Sequence, residues 1–230
     1  MKHLSFYLLC ITFFLVGKAY SNNPYQVSGR LTGVPGDTLV VNYLNFEGGY
    51  SEPIETIVLK DGTFGFDTPY TSPTFIFLEP QATKEDGFRQ QIPIVVVPGE
   101  QVTINGTMNN YIIGGSPFYQ SFNDVIIPIV RMNEARTRAI EKKYNAMLAV
   151  KDTNRDSISN LEAKEMKVLR DEISNLAIRS MKIHSGEEAA GILLSLVDPT
   201  ERQNALNLLS ERVRNGRMAP YYRSLVTAGE

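Results

Sequence analysis

The chain contains no tryptophan, a single cysteine and two histidines among its 230 residues. These counts are too low for a Cys/His zinc site, which takes four such ligands. They also exclude the Cys-x-x-Cys pair of a dithiol redox enzyme. An excess of positive charge is missing too, because 23 basic residues face 25 acidic ones. Since nucleic-acid-binding proteins normally carry a basic surface, we expect no nucleic-acid partner.

The first 21 residues have the parts of a secretory signal peptide. Lys2 and His3 form a short basic start, and Leu4–Val16 is almost continuously apolar. That stretch is too short to span a bilayer but suits a signal core. Small residues stand at the two positions that a signal peptidase reads, Ala19 and Ser21. We therefore predict cleavage near Ser21.

The alternative is an uncleaved membrane anchor, which Lys18 and the polar residues after Ser21 disfavour. Cys10 lies inside the apolar core, whereas a lipoprotein signal places its cysteine directly after the core. Removal of residues 1–21 leaves 209 residues with no cysteine and one histidine, His184. We expect no stable membrane span in this shorter chain.

The remaining charge divides the chain into two halves. Residues 22–115 hold four basic and ten acidic side chains, a balance of −6. Residues 116–230 hold 17 basic and 15 acidic side chains, a balance of +2. Such asymmetry is typical of two structural units. We therefore predict three segments, namely a signal peptide over 1–21, a β domain over 22–115 and an α-helical region over 116–230.

Short strands separated by turn residues are the pattern of residues 22–115. Turn signals occur at Asp61-Gly62 and Pro98-Gly99. The predicted strands are Tyr25–Leu31, Thr38–Leu44, Ile54–Leu59, Thr63–Phe66, Thr74–Leu78, Ile92–Val97, Gln101–Ile104 and Tyr111–Ile113. Seven or eight strands at this spacing predict an antiparallel β-sandwich or barrel, within an α+β chain.

Helical periodicity begins at Ser116-Pro117, a capping residue followed by proline at the first helical position. Pro128 predicts a kink or two helices. We expect helices over 118–150 and 157–184 to pair antiparallel, with Asp156 capping the second. The residues predicted to form the buried stripes are Phe118, Phe122, Val125, Ile129, Met132, Ile140, Tyr144 and Met147 in the first helix, and Ile158, Leu161, Val168, Leu169, Ile173, Leu176 and Ile183 in the second.

Shorter helices follow the long pair. A capping box over Ser185–Glu188 predicts a helix over Ala189–Val197. Asp198 opens a further helix that runs to about Arg214. Asn215-Gly216, a pair that tolerates the left-handed conformation, ends it. A last short helix is predicted over Pro220–Ala228.

Residues with catalytic, cofactor-binding or metal-binding patterns are not found. A Ser-His-acid site would need His184, which lies at a predicted helix end where its charge favours the helix dipole. No Gly-x-Ser-x-Gly elbow is present. Gly48-Gly49 and Gly114-Gly115 lack the spacing of phosphate loops. A carboxylate pair for glycoside hydrolysis stays open, because acids are common and nothing singles out two of them. We name no catalytic residue and no metal ligand, and expect no cofactor.

The sequence Asp152-x-Asn154-x-Asp156 begins like a calcium loop. Ser157 stands where the loop needs glycine, and Ala163 stands where it needs a bidentate acid. We therefore interpret the segment as a solvated loop between two helices.

Two surface patterns also have simple explanations. The glycosylation sequon Asn105-Gly106-Thr107 reads equally well as a turn after a strand. Five basic residues share one predicted helix, where Glu134 and Glu141 interrupt them, as on a solvated face. These five are Arg131, Arg136, Arg138, Lys142 and Lys143.

Several stretches together resemble a known arrangement. They are Tyr25-Gln-Val-Ser-Gly-Arg-Leu-Thr-Gly-Val-Pro-Gly-Asp-Thr, Lys60-Asp-Gly-Thr-Phe-Gly-Phe, Val97-Pro-Gly-Glu-Gln-Val-Thr-Ile-Asn-Gly and Ile113-Gly-Gly-Ser-Pro-Phe. Their order resembles a β-rich N-terminal domain of unknown function in secreted proteins of Bacteroides-type Gram-negative bacteria. The helical part is also similar, so the resemblance covers nearly all of the chain after residue 24.

In that family the region usually precedes a thioredoxin-like domain of the TlpA/ResA type, which exchanges thiols with disulfides. This sequence ends at Glu230 without such a domain or its two cysteines, so no catalytic residue carries over. The resemblance implies a periplasmic or cell-envelope location. It leaves open whether the chain is a stand-alone relative or a fragment.

Three functions remain as expectations. The first is a non-enzymatic accessory or interaction module with a protein partner in the cell envelope. The second is the N-terminal portion of a thioredoxin-like thiol:disulfide oxidoreductase whose catalytic domain is missing. The third is a carboxylate-based hydrolase, for which nothing singles out a pair of acids.

The missing thiols give a direct prediction. Protein lacking residues 1–21 should not reduce insulin or isomerise disulfides, because it contains no cysteine. The check is an insulin-reduction assay with pure protein beside a thioredoxin standard. Turnover above the buffer rate would contradict the prediction.

Overall fold

The computed structural model describes residues 25–45, 50–82, 90–150 and 154–228. The predicted signal peptide, Gly48-Gly49 and Asp152 lie outside these residues. Eight strands in two sheets come first and a helical region follows, so the α+β prediction is confirmed. Within the described part of the chain, no helix is both long and apolar enough to cross a membrane.

The two sheets form a sandwich that is not closed into a barrel. The strands are β1 (Val27–Thr32), β2 (Thr38–Asn45), β3 (Tyr50–Val58), β4 (Thr63–Phe66), β5 (Thr74–Pro80), β6 (Ile92–Val96), β7 (Val102–Thr107) and β8 (Asn110–Gly115). One sheet has the order β4-β1-β7-β8 and the other the order β3-β2-β5-β6. Alternate residues of both sheets, such as Val27 and Ile104 in one and Ile76 and Ile94 in the other, are buried in a shared core.

One strand pair departs from the antiparallel prediction. β1 and β7 run parallel, with Gly29 opposite Ile104, whereas the other neighbours pair antiparallel. Parallel neighbours need a long crossover connection, which the four strands β2, β3, β5 and β6 of the other sheet and β4 provide here. Period-two alternation is the same in both kinds of pair, so the sequence pattern does not distinguish them.

The helical region contains one long hairpin and several short elements. They are α1 (Pro117–Ser121), a π turn (Phe122–Ile126), α2 (Ile127–Leu148), α3 (Arg155–Ile183), a 3₁₀ helix (Glu188–Leu196), a 3₁₀ turn (Pro199–Glu201), α4 (Arg202–Leu206), α5 (Glu211–Arg214) and α6 (Ala219–Thr227). The π turn is where the predicted break at Pro128 appears. The N–H of Ile127 bonds to the carbonyl of Phe122, five residues earlier. Widening the turn just ahead of Pro128 accommodates a residue that has no N–H to donate.

The long helices pair antiparallel, as predicted. Arg136 of α2 contacts Glu172 of α3, and Lys143 further along α2 lies 2.6 Å from Glu165, which comes earlier in α3. The cap of α3 is Asn154, whose side chain accepts the N–H of Ser157 at 3.1 Å, so the prediction of Asp156 is wrong. The Ser157 N–H is already bonded to the Asn154 side chain, which stands two positions before Asp156.

Three residues predicted to belong to the buried stripe of α3 are exposed. They are Leu161, Val168 and Ile183, which leave 48%, 56% and 77% of their surface in solvent. Met132 and Met147 of α2 are each 37% exposed. A helix whose circumference is covered only in part buries a narrow seam, so a wider apolar stripe extends beyond the contact.

The predicted capping box is also wrong. Ser185 makes no cap, and the segment after it is a 3₁₀ helix rather than an α-helix. Gly191 lies so close to the Tyr222 ring that a Cβ there would be 2.3 Å from Cε1. The predicted helix from Asp198 to Arg214 is interrupted between α4 and α5, although Asp198 caps its start. Asn215 follows α5 with a φ of −105°, and neither Asn215 nor Gly216 has a positive φ.

The first helical turns seal two strand edges. Among the described strands β6 pairs only with β5, which leaves backbone groups of Val95 and of Val97, just after β6, for other partners. The Tyr119 hydroxyl accepts the N–H of Val97 at 3.1 Å and donates to the carbonyl of Val95 at 3.2 Å. Tyr119 is fully buried. It therefore closes an edge that would otherwise present unpaired polar groups.

The edge of β8 is closed in the same way from the next turns. The side-chain oxygen of Asn123 accepts the N–H of Ile113 at 3.1 Å. Arg131 donates to the carbonyl of Tyr111. We call Pro117–Arg131 the edge-sealing segment, because it bonds to one edge of each sheet.

Tyr119→Phe tests this segment. The change leaves a buried carbonyl and a buried N–H without their partner, so we expect unfolding free energy to fall by about 1–3 kcal/mol. Urea denaturation is the measurement, and Tyr43→Phe, at a half-buried tyrosine of β2, is the matched control. A loss no larger than that of the control would contradict the sealing role.

Candidate functional site

An ion-pair cluster joins the sandwich to the helical region. Arg217 contacts Glu100, which follows β6, and Glu188 at the start of the 3₁₀ helix, 2.7 Å from its Nη2. Ser116 donates to the same Glu100 carboxylate. The guanidinium also lies 5.9 Å from the centre of the Phe118 ring. Sequence reasoning did not find Arg217, because no local pattern links it to residues more than 100 positions away.

Glu100 and Glu188 are the two carboxylates that this cluster brings together. Both face the Arg217 guanidinium rather than an open cleft. A glycosidase needs its two carboxyl groups on either side of the scissile bond, with one of them protonated. Here the space between the two acids is filled by a cation, so the cluster acts as a clamp between two parts of the fold.

A second cluster contains serine, glutamate and histidine. Ser121 donates to Glu187 Oε2, and His184 Nδ1 lies 2.8 Å from Glu187 Oε1. Glutamate therefore stands between serine and histidine. In a nucleophilic triad the histidine must stand in the middle, because it removes the serine proton. This order provides no activated hydroxyl, and it ties the end of α3 to α1.

Glu187 is electrostatically important to that tie. The hydrogen bond from Ser121, and then that with His184, hold the pKa of its carboxyl below the ordinary value of 4.5. The ionised form is thus the one that the folded structure prefers.

The buried Tyr111 and the acid Glu134 lie near the start of β8. Burial raises the pKa of Tyr111 to about 12, and the Arg131 guanidinium lies 4.7 Å from its ring centre. Burial also raises the pKa of the neighbouring Glu134. The charges of Arg138 and Arg131 act in the opposite direction and lower the pKa of Glu134. The group packs the edge-sealing segment onto β8.

Metal ligation finds no support in the residues described. Among them, no group of three or more His, Cys, Asp or Glu side chains is placed to hold a metal ion. The oxygen of Asn154 is occupied by the Ser157 N–H, and Asp152 lies outside the described residues. The sequon residue Asn105 lies inside β7, not in a turn, and its side chain accepts the N–H of Arg30 at 3.1 Å.

Four of the five basic residues of α2 lie on the solvated surface that the sequence predicts, whereas Arg131 faces Tyr111 of β8 and its Nε is buried. Three of the four have partners on the protein surface. These contacts are Arg136 with Glu172, Arg138 with Glu134 at 3.7 Å and Lys143 with Glu165 at 2.6 Å. Exposed pairs of this kind add little stability and leave no continuous cationic patch.

One flank of the α2–α3 hairpin carries several exposed apolar side chains. A groove between the two helices has a volume of about 590 Å³ and is lined by Met132, Arg136, Glu172, Ile173, Asn175, Leu176, Ile178 and Arg179. The exposed residues Leu161, Val168 and Ile183 share the helix face of Glu172 and Arg179, since their spacings are near multiples of the helical repeat. We call Met132, Leu161, Val168, Leu176 and Ile183 the hairpin flank. It runs along the whole of α3.

A matching signal was present in the sequence. Leu161 and Val168 alternate with Glu165 and Glu172 on the same face, a mixed pattern that is typical of a helix edge rather than a core. The apolar members of the stripe taken alone predict a buried face, and the acids between them indicate an exposed edge.

Comparison with known families gives one match. Residues 25–122 match the family described as a domain of unknown function (DUF4369). The matched segment contains all eight strands, α1 and the first residue of the π turn, so it includes Tyr119. Searches of curated proteins and of solved structures found no match.

Acid titration tests the Ser121–Glu187–His184 cluster. Because the folded pKa of Glu187 lies below its ordinary value, its stabilising contribution is present above pH 4.5 and is lost as the pH falls below that value. In Glu187→Gln the loss of stability on acidification should therefore be smaller than in the unchanged protein.

Urea denaturation at neutral pH and at a series of acidic pH values measures this difference. Glu141→Gln on α2 is the control for removing one carboxylate. Equal acid-side slopes for Glu187→Gln and the unchanged protein would contradict the role of Glu187.

Proposed function

We propose that the chain is a non-enzymatic accessory or interaction module that acts in the periplasm or cell envelope of a Gram-negative bacterium. The observation that carries the proposal is the hairpin flank. The side chains that could take part in a reaction are engaged in structural contacts. Arg217 lies between two acids, and Glu187 lies between Ser121 and His184. The hairpin flank, by contrast, presents the apolar side chains of Met132, Leu161, Val168 and Ile183 to solvent, with Leu176 half-buried beside them.

Scattered exposed apolar residues are ordinary on protein surfaces. Those of the hairpin flank are different because they align along one side of one hairpin, where Met132 and Leu176 also line a groove. Leu161 and Val168 are seven residues apart, the spacing of equivalent positions in helix bundles. Such alignment supports a surface that another helix covers.

We assign an amphipathic helix of a partner protein as the occupant. A helix laid in the groove would complete a three-helix arrangement and insert its apolar face between Met132 and Leu176. α2 and α3 together carry 11 basic and seven acidic residues, and in the described chain Arg179 beside the groove has no carboxylate within 4.0 Å. Charge complementarity therefore favours a partner helix with acidic edges.

The other two functions have weaker support. A hydrolase would need two acids facing a cleft, whereas Glu100 and Glu188 both face Arg217. The role as the front part of a thiol:disulfide oxidoreductase is compatible with the match of residues 25–122 to a domain of unknown function, but that match names no thiol chemistry.

Leu161→Asp combined with Val168→Asp tests the proposed surface. Both side chains are exposed, so the unfolding free energy should change by no more than about 0.5 kcal/mol per site, while binding of the partner helix is lost. A photo-crosslinking amino acid at Val168, introduced in the producing bacterium, should attach to a partner protein, and mass spectrometry should identify the attached segment as an amphipathic, acidic helix.

Asn160 provides the matched control, because it is exposed on a different face of α3. The crosslinker at Asn160 should give no product, and Asn160→Asp should leave partner binding intact. Equal products at both positions, or none at Val168, would contradict the proposal. A product formed only between two copies of the chain would also contradict it.

A further inference from the structure

A polar cleft lies on the opposite side of α3 from the hairpin flank. It has a volume of about 400 Å³ and is formed between α3, the chain from Ser195 to Arg202, and Asn133 of α2. Lys167, Arg170 and Ser174 line its α3 side. They are spaced by three, four and seven residues, so they occupy one face of the helix. We call this site the cationic cleft.

Ser174 forms its buried floor. The residue is 4% exposed, and its hydroxyl oxygen accepts the N–H of Asp198 at 2.9 Å. Among the described residues no acceptor takes the hydroxyl hydrogen of Ser174. A buried hydroxyl that retains a donor is suited to a ligand oxygen, since such donors are normally satisfied.

Two backbone carbonyls fix the position of the Arg202 guanidinium. Its Nε donates to the carbonyl of Val197 at 3.1 Å and its Nη1 to the carbonyl of Leu225 at 2.7 Å. These two bonds fix the guanidinium, and no acceptor among the described residues takes a hydrogen from Nη2. Partial burial also lowers the pKa of Arg202, which marks a cation that has lost part of its hydration.

The acids of the cleft are already engaged. Asp171 pairs with Lys167 at 2.8 Å, and Asp198 accepts the N–H and hydroxyl of Thr200 at 3.0 and 2.6 Å. In the part of the chain that the structure describes, neither Arg170 nor Arg202 has a carboxylate within 4.0 Å. Neither guanidinium thus forms a salt bridge in the cleft, and Asp198 is the nearby carboxylate whose charge acts on Arg202.

We propose that the cationic cleft binds a small organic anion through its carboxylate or phosphate group. Arg170 and Arg202 supply N–H donors from two sides, and Ser174 supplies a hydroxyl from the floor. Guanidinium groups bind both kinds of anion through paired hydrogen bonds. The volume lies in the range of small-molecule sites. This proposal does not depend on the hairpin flank.

Titration calorimetry of the protein lacking residues 1–21 tests the cleft with two probes, inorganic phosphate and succinate. At least one should bind saturably at low salt with a Kd below about 10 mM. Stronger phosphate binding would assign a phosphate ligand, and stronger succinate binding a carboxylate ligand. Arg170→Gln should weaken binding about tenfold, because it removes a charge-assisted contact.

Lys164→Gln is the matched control, since it removes one exposed positive charge from the same helix outside the cleft. It should leave the Kd unchanged. Ser174→Ala should weaken binding as well, with folding checked by circular dichroism. Absence of saturable binding by both probes would overturn the proposal, as would equal weakening by Lys164→Gln and Arg170→Gln.

Discussion

The hydrogen bonds from the edge-sealing segment to the strand edges are the constraint on which the rest of the structure depends. An open sandwich leaves outward-facing N–H and C=O groups on its edge strands, and burying them without partners costs free energy. Tyr119 hydrogen-bonds to the backbone of Val95 and Val97 at the β6 edge. Asn123 and Arg131 hydrogen-bond to backbone groups of β8. The start of the helical region is thereby part of the sandwich. The match of residues 25–122 to one family includes Tyr119, which agrees with this arrangement.

Besides the edge-sealing segment, two clusters of polar contacts fix the helical region in place. Arg217 bridges Glu100 of the sandwich and Glu188 of the 3₁₀ helix, and Glu187 links Ser121 to His184. Both clusters use groups that would elsewhere suggest chemistry. The first cluster joins the 3₁₀ helix to the sandwich, and the second joins the end of α3 to α1. The distal parts of α2 and α3 pack mainly on one another and so present surfaces on both sides.

Those surfaces differ in character. The hairpin flank is apolar and elongated, which suits a helix, whereas the cationic cleft is polar and small, which suits an anion. Lys167 and Arg170 line the cleft, and Leu161 and Val168 lie on the hairpin flank, although all four belong to the same helix. A long helix can serve two ligands in this way because its faces repeat every 3.6 residues.

The sequence by itself determined the strands, the start of the helices at Pro117, the break near Pro128 and the antiparallel hairpin. These follow from local periodicity and turn chemistry, which act over a few residues. Only the tertiary structure decided the parallel β1–β7 pair, the 3₁₀ form of Glu188–Leu196, the exposure of Leu161, Val168 and Ile183, and the contacts of Arg217. Each of these depends on which distant surface is available for packing, as with Tyr222 against Gly191. The candidate sites belong to this second group, because a groove or a cleft exists only once separate elements come together.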